Sequence, residues 1–96
     1  MPTDNLVLIE QFCVHHNIEG DFISSLQEFG LIELVIIEEH KYIPYEQLKE
    51  TERMVRLHYD LGINLEGLDA IAHLQQRMNE LQAELNYAKN RLRLFE

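Results

Sequence analysis

The chain has 96 residues, 17 of them acidic against 8 basic, a net charge of −9 and a single cysteine. That length holds one domain with one modest core, worth about 5–14 kcal/mol, which leaves little room for a catalytic cleft; one cysteine excludes an intrachain disulfide. With no apolar run of ~18 residues, no basic leader before an apolar stretch and no low-complexity tract, the composition predicts a soluble, ordered, unexported protein of a reducing cytoplasm, with no membrane partner.

Leu6, Leu8, Ile9, Phe12, Cys13 and His16 recur at spacings that fit a short extended lead-in followed by a helix over about 9–16. A polar turn at residues 17–20 interrupts it. Phe22, Ile23, Leu26 and Phe29 then repeat at helical spacing, and Gly30 stands where a helix C-terminus favours a left-handed residue, which predicts a second helix over about 20–29. Residues 31–37 are rich in β-branched side chains. With the charged turn Glu38-Glu39-His40-Lys41 and with Tyr42-Ile43 before Pro44, they predict a two-stranded hairpin, a wing. Pro44 suits the first turn of a third helix, whose buried face is expected from Leu48, Met54, Val55, Leu57, Tyr59 and Leu61, with Gly62 as its stop.

The last third carries the clearest local signals. Asn64 is a good N-cap, Glu66 and Asp69 place negative charge in or near the first turn, and Ile63 can close on Leu68 as a hydrophobic staple. Ile71, Leu74, Met78, Leu81, Leu85, Ala88, Leu92 and Phe95 then alternate between a and d positions of unbroken heptads. A helix over residues 65–95 would be a rod of about 45 Å at 1.5 Å per residue. A globule of some 60 residues, with a radius of gyration of ~10 Å, cannot cover that seam, so the pattern predicts a homodimer through these eight residues. The flanking charges suit a parallel or an antiparallel pair. The expected architecture is mainly α: a winged helix-turn-helix over 1–62 with a small β-hairpin wing, continuous with a long C-terminal dimerisation helix over 63–96.

Charge is distributed unevenly along this plan. Residues 1–52 hold eleven acidic side chains against Lys41 and Lys49, a net of −9, whereas residues 53–96 balance six against six. A helix-turn-helix usually enters the DNA major groove, where Lys and Arg neutralise phosphates. An acidic one should repel DNA and attract a basic protein. The candidate partner-binding residues are therefore Asp21, Glu28, Glu33, Glu38 and Glu39.

The run IEGDFISSLQEFGLI at residues 18–32 resembles the second helix and exit of MerR-type winged helix-turn-helix domains, and LHYDLGINLEG at 57–67 resembles their third-helix exit and dimerisation-helix start. Within that superfamily, Glu10-Gln11-Phe12-Cys13, the stretch from Arg56 to Gly67 continuing to Ile71-Ala72-His73-Leu74, and the short final coiled coil are most similar to chaperone-modulator proteins of the CbpM type. That resemblance implies a protein that binds and restrains the J-domain of a DnaJ/CbpA-like co-chaperone, whose J-domain presents a basic helix. DNA-binding members carry arginines where this chain has Asp21 and Ser24, and an arginine-rich wing where it has Glu33 to Glu39; residues 20–32 contain no Lys or Arg. The alternative the resemblance leaves is a MerR-type DNA-binding transcriptional regulator acting as a dimer.

Other constellations are weaker. Cys13, His15 and His16 lie close in sequence, but on a helix 15 points away from 13 and 16, and a tetrahedral zinc site needs four ligands. A buried cysteine with surface or capping histidines is the expected arrangement, with no metal. His58 has no Ser, Cys or Asp at triad spacing, and no glycine-rich phosphate loop is present, so neither an enzyme nor a cofactor is expected.

Overall fold

The computed structural model describes residues 5–94. Elements run β1 (Leu6–Leu8), α1 (Ile9–His16), α2 (Gly20–Glu28), β2 (Val35–Ile37), β3 (His40–Pro44), α3 (Tyr45–Leu61) and α4 (Leu65–Leu94). The wing hairpin is β2–β3, and a third strand joins it: the extended lead-in β1 pairs antiparallel with the other edge of β3 through Leu6↔Pro44, Val7↔Ile43 and Leu8↔Tyr42, giving the order β1-β3-β2. An isolated hairpin is marginal in water, and a third strand satisfies the second edge of β3, whose Ile43 is fully buried. Three residues are too few for an alternation to show in sequence.

Residues 31–34, expected to be strand, are instead a turn that seals the end of α2. The Gly30 N–H donates to the Gln27 carbonyl and the Leu31 N–H to the Leu26 carbonyl, each at 2.9 Å, and the Glu33 N–H donates to Gln47 Oε1 at 2.6 Å. Backbone groups bonded in this way cannot serve a ladder with β3. The wing turn is also tighter than expected. Ile37 pairs with His40, so only Glu38 and Glu39 form the loop, and both have positive φ (50° and 68°). Pro44, rather than entering the third helix, remains the last residue of β3 and the N-cap of α3, with ψ 142°. Its side of α3 is closed by the Tyr45 N–H donating to the Asn5 carbonyl at 2.8 Å.

One core cluster gathers Ile9, Phe12 and Cys13 of α1, Phe22, Ile23 and Leu26 of α2, Ile32 of the turn that follows, Ile43 of β3, Met54 and Val55 of α3, and Leu68 of α4. Thr51 is buried among them and donates its hydroxyl to the Gln47 carbonyl at 2.7 Å, so the polar group is satisfied. Tyr59 and Leu61, expected on the buried face of α3, are 47% and 69% exposed, because they fall on the two flanks of the Thr51–Val55 stripe near the end of the helix.

Gly62, in the left-handed region at φ 69°, ends α3, and Asn64 restarts the chain as a helix by accepting the Gly67 N–H on Oδ1 at 2.8 Å. Gly67 has a packing reason. A Cβ there would lie 2.7 Å from Ile63 Cγ2 and 3.1 Å from Asn64 Oδ1, so its absence lets Ile63 fold over the first turn of α4 beside buried Leu68. Leu68 is the only fully buried α4 residue among those described, and every described residue after Gln75 is exposed. The helix thus projects as a rod. Its 30 residues help give the molecule extents of 56 × 37 × 21 Å and a radius of gyration of 17.3 Å, where a compact chain of this length would have about 12 Å.

Candidate partner-binding face

Helix α2 buries Phe22, Ile23 and Leu26 and turns the opposite side to solvent. Asp21 and Glu28 are seven residues apart, so they share that outer side, separated by about 10 Å. Both are exposed, with the half-buried Ser24 and Ser25 between them. Asp21 sits in the first turn, where the helix dipole favours a carboxylate; Glu28 ends the helix, where the dipole opposes one and no basic residue of the last turn offsets it. Glu38 and Glu39 form the exposed tip of the wing, side by side in left-handed backbone, a conformation that favours Asn and Gly. Three of the five acidic residues singled out in the sequence therefore occupy places where local energetics favour something else.

Glu33 is held differently. It lies in the turn after α2, exposed and tied to α3 by its N–H bond to Gln47. There it borders a hollow of about 300 Å³ with Glu46 and Glu50 from the first turns of α3. These two glutamates belong to the acidic excess of residues 1–52, and their i, i+4 spacing on one face of α3 is the signal that places them together. Two exposed apolar side chains were not anticipated: Ile36, 60% exposed on β2 opposite Lys41, and Phe29, 40% exposed beyond α2.

The described cations near this face are Lys41 on β3, opposite Ile36, and Lys49, Arg53 and Arg56 on α3, which share a second hollow with Glu46 and Glu50. Arg53 is engaged by Glu50 at 3.2 Å and by Gln75 Oε1 at 3.4 Å; Lys41, Lys49 and Arg56 are exposed. Among the described residues, no Lys or Arg lies on α2 or in the turn that follows it.

The histidines serve packing. His16 stacks on Phe12 at 4.3 Å and reaches Glu52 at 3.3 Å, linking α1 to α3, while His15 is exposed. His58 lies flat on Phe22 at 4.4 Å, and its Nδ1 is 2.8 Å from the Ile63 carbonyl. A carbonyl only accepts, so Nδ1 carries the proton and caps the α3–α4 junction. His73 is exposed, bonded to the Asp69 carbonyl of its own helix at 2.8 Å. Burial, and secondarily the charge of Glu10, raise the pKa of the Cys13 thiol, which keeps it protonated and unreactive at neutral pH. Among the described residues no cluster of three or more His, Cys, Asp or Glu side chains is arranged to hold a metal ion, and no helix is long and apolar enough to cross a membrane.

On α4, Leu74 and Met78 are 64% and 62% exposed, Leu81 and Leu85 nearly half, and Leu92 64%. Ala88 is exposed, Ile71 is half-buried at the foot of the rod, and Phe95 lies outside the described residues. At about 100° per residue, Leu74, Met78, Leu81 and Leu85 fall roughly 80–140° round the helix from Leu68, so beyond Ile71 the apolar seam lies to one side of the face that packs on the head.

No curated protein and no solved structure matches the chain. The family described as MerR HTH family regulatory protein matches residues 7–90, from the first strand to near the end of the rod. With helix-turn-helix, wing and projecting helix in sequence order, the chain belongs to the MerR family of helix-turn-helix regulatory proteins.

Proposed function

We propose that the protein is a cytoplasmic chaperone modulator, a non-catalytic adaptor that binds and restrains the J-domain of a DnaJ/CbpA-like co-chaperone and works as a homodimer. The observation that carries this reading is the placement of acid on the helix-turn-helix. Glu28 at the wrong end of the α2 dipole and Glu38-Glu39 in left-handed backbone cost local stability, and a surface that keeps charge against local cost has a use for it. Such a face would attract a basic helix by complementary potential and speed encounter, with neighbouring apolar side chains supplying most of the affinity. The same face opposes DNA, because phosphate contacts need cations that α2 lacks.

The dimer rests on α4. Each of Leu74, Met78, Leu81, Leu85 and Leu92 would gain on the order of 1 kcal/mol if a second helix covered the 46–64% of its surface left exposed. A head that packs on a different side of the helix leaves room for that partner helix.

Native gel shifts at low salt with random-sequence duplex DNA, run beside a purified J-domain, test the reading. A shift with the J-domain and none with DNA is expected. Tight, salt-sensitive DNA binding with no J-domain complex would assign the protein instead to the DNA-binding regulators of its family.

A further inference from the structure

Phe29, Gly30 and Leu31 form the floor between two adjoining hollows of about 300 Å³ each. One opens toward α3, between Glu33, Glu46 and Glu50; the other opens toward α4, between Asp69, His73 and Gln76. Gly30 and Leu31 line both, so the two hollows adjoin across this turn, a two-part groove at the end of α2, the start of α3 and the foot of α4. Its side chains include four carboxylates and no Lys or Arg. Among the described residues, Arg53 reaches Glu50 from the neighbouring side at 3.2 Å, and His73 lies 3.5 Å from Asp69.

The position matters as much as the charge. On the helical wheel, Asp69, Ala72, His73 and Gln76 lie about 40–140° from Leu68 in one direction, whereas the seam residues lie about 60–160° in the other. A second chain covering the seam would leave the groove open.

From this arrangement we infer that the groove, more than the wing tip, is where the partner's helix seats: a cationic amphipathic helix, with an apolar side chain set on Phe29 and Leu31 and Lys or Arg residues reaching Glu33, Glu46 and Asp69. The inference rests on the reading of the protein as a binder of a basic partner and gives that partner a seat. An apolar floor under a single-signed rim matches the anatomy of a specific interface, where a central anchor supplies affinity and rim charge sets register and partner choice. The wing and the outer side of α2 then steer the encounter from a distance.

The test uses a purified DnaJ-type J-domain, titrated against the full chain in three forms. A groove variant, E33Q/E46Q/D69N, removes three rim charges; F29S removes the anchor while leaving the rim intact; a face variant, D21N/E28Q/E38Q/E39Q, removes charge outside the groove. None of these side chains is buried in the core, and circular dichroism of each variant serves as the folding control. Weakening of about tenfold or more in both the groove variant and F29S, with a smaller, salt-dependent loss of on-rate in the face variant, is expected. A groove variant and F29S that bind like wild type while the face variant weakens would overturn the seat and leave the adaptor reading standing. Wild-type binding by all three would overturn the seat and the steering role of the acidic face alike, whereas no binding of the J-domain by the wild-type chain would remove the adaptor reading itself. A fall in the mass of the free protein on mutating the groove, seen by light scattering, would assign the groove to a second copy of this chain and overturn the inference.

Discussion

Replacing Glu38-Glu39 by Asn-Gly is expected to stabilise the fold while slowing association with a basic partner. The two-residue loop between Ile37 and His40 requires φ near 50° and 68°, and an ordinary L-residue pays about 1–2 kcal/mol for left-handed backbone. Asn tolerates that region and Gly adopts it freely, so the substitution relieves a large part of the strain at both positions. The greater freedom of Gly in the unfolded chain takes back about 0.5–1 kcal/mol. A net gain of about 1 kcal/mol remains, which for a domain of this size raises Tm by about 4–8 °C. Thermal melts at fixed protein concentration read the effect, and E38Q/E39Q serves as the control because it removes the charges and retains the strain. An Asn-Gly variant that melts no higher than E38Q/E39Q would refute the strain argument. Slower binding in both variants would then show that the wing retains acid at the expense of stability.

Leu85→Lys is expected to convert dimer to monomer at ~10 μM in sedimentation equilibrium, because it buries an unpaired charge in the seam, and to leave the head folded; retention of the wild-type mass would contradict the seam. Gly67→Ala should destabilise by roughly 1 kcal/mol in urea titrations despite its better helix propensity, since the new methyl group displaces Ile63 and the Asn64 cap; a gain in stability would contradict that packing. Cys13→Ser should lower stability by about 1–2 kcal/mol at neutral pH without altering partner binding, by placing a second polar group in the core. The folded thiol titrates above its ordinary value, so the advantage of Cys13 is fully present below the unfolded pKa and is lost as pH rises through the folded one; an advantage that grows in alkali would contradict the buried, protonated thiol.

The elements that the sequence displays most plainly are those with local causes. Asn64 and Gly67 mark the start of α4 through a bond between them, and the apolar spacing of Phe22, Ile23 and Leu26 needs nothing beyond α2 to define its buried side. What stayed hidden depends on distant partners. β1 is a strand because β3 has a free edge, residues 31–34 leave the ladder because Gln47 and Leu26 take their N–H groups, and Pro44 stays out of α3 because it closes the pair with Leu6. For the candidate site, the sign of the surface was legible from charge counting alone. Its shape was not, because Glu33 joins Glu46, and Asp69 joins Phe29 and Leu31, only when separate elements of the fold meet.

The most direct measurement of the central claim is the rate of association between this protein and a purified J-domain at two ionic strengths, for wild type and for the combined variant D21K/E28K/E38K/E39K. Wild-type association is expected to slow steeply with added salt, and the variant, with unchanged Tm, to associate more slowly and with a nearly flat salt dependence. Association of the variant at the wild-type rate and with the wild-type salt slope would contradict that claim, and would reduce the acidic helix-turn-helix to a solubilising surface.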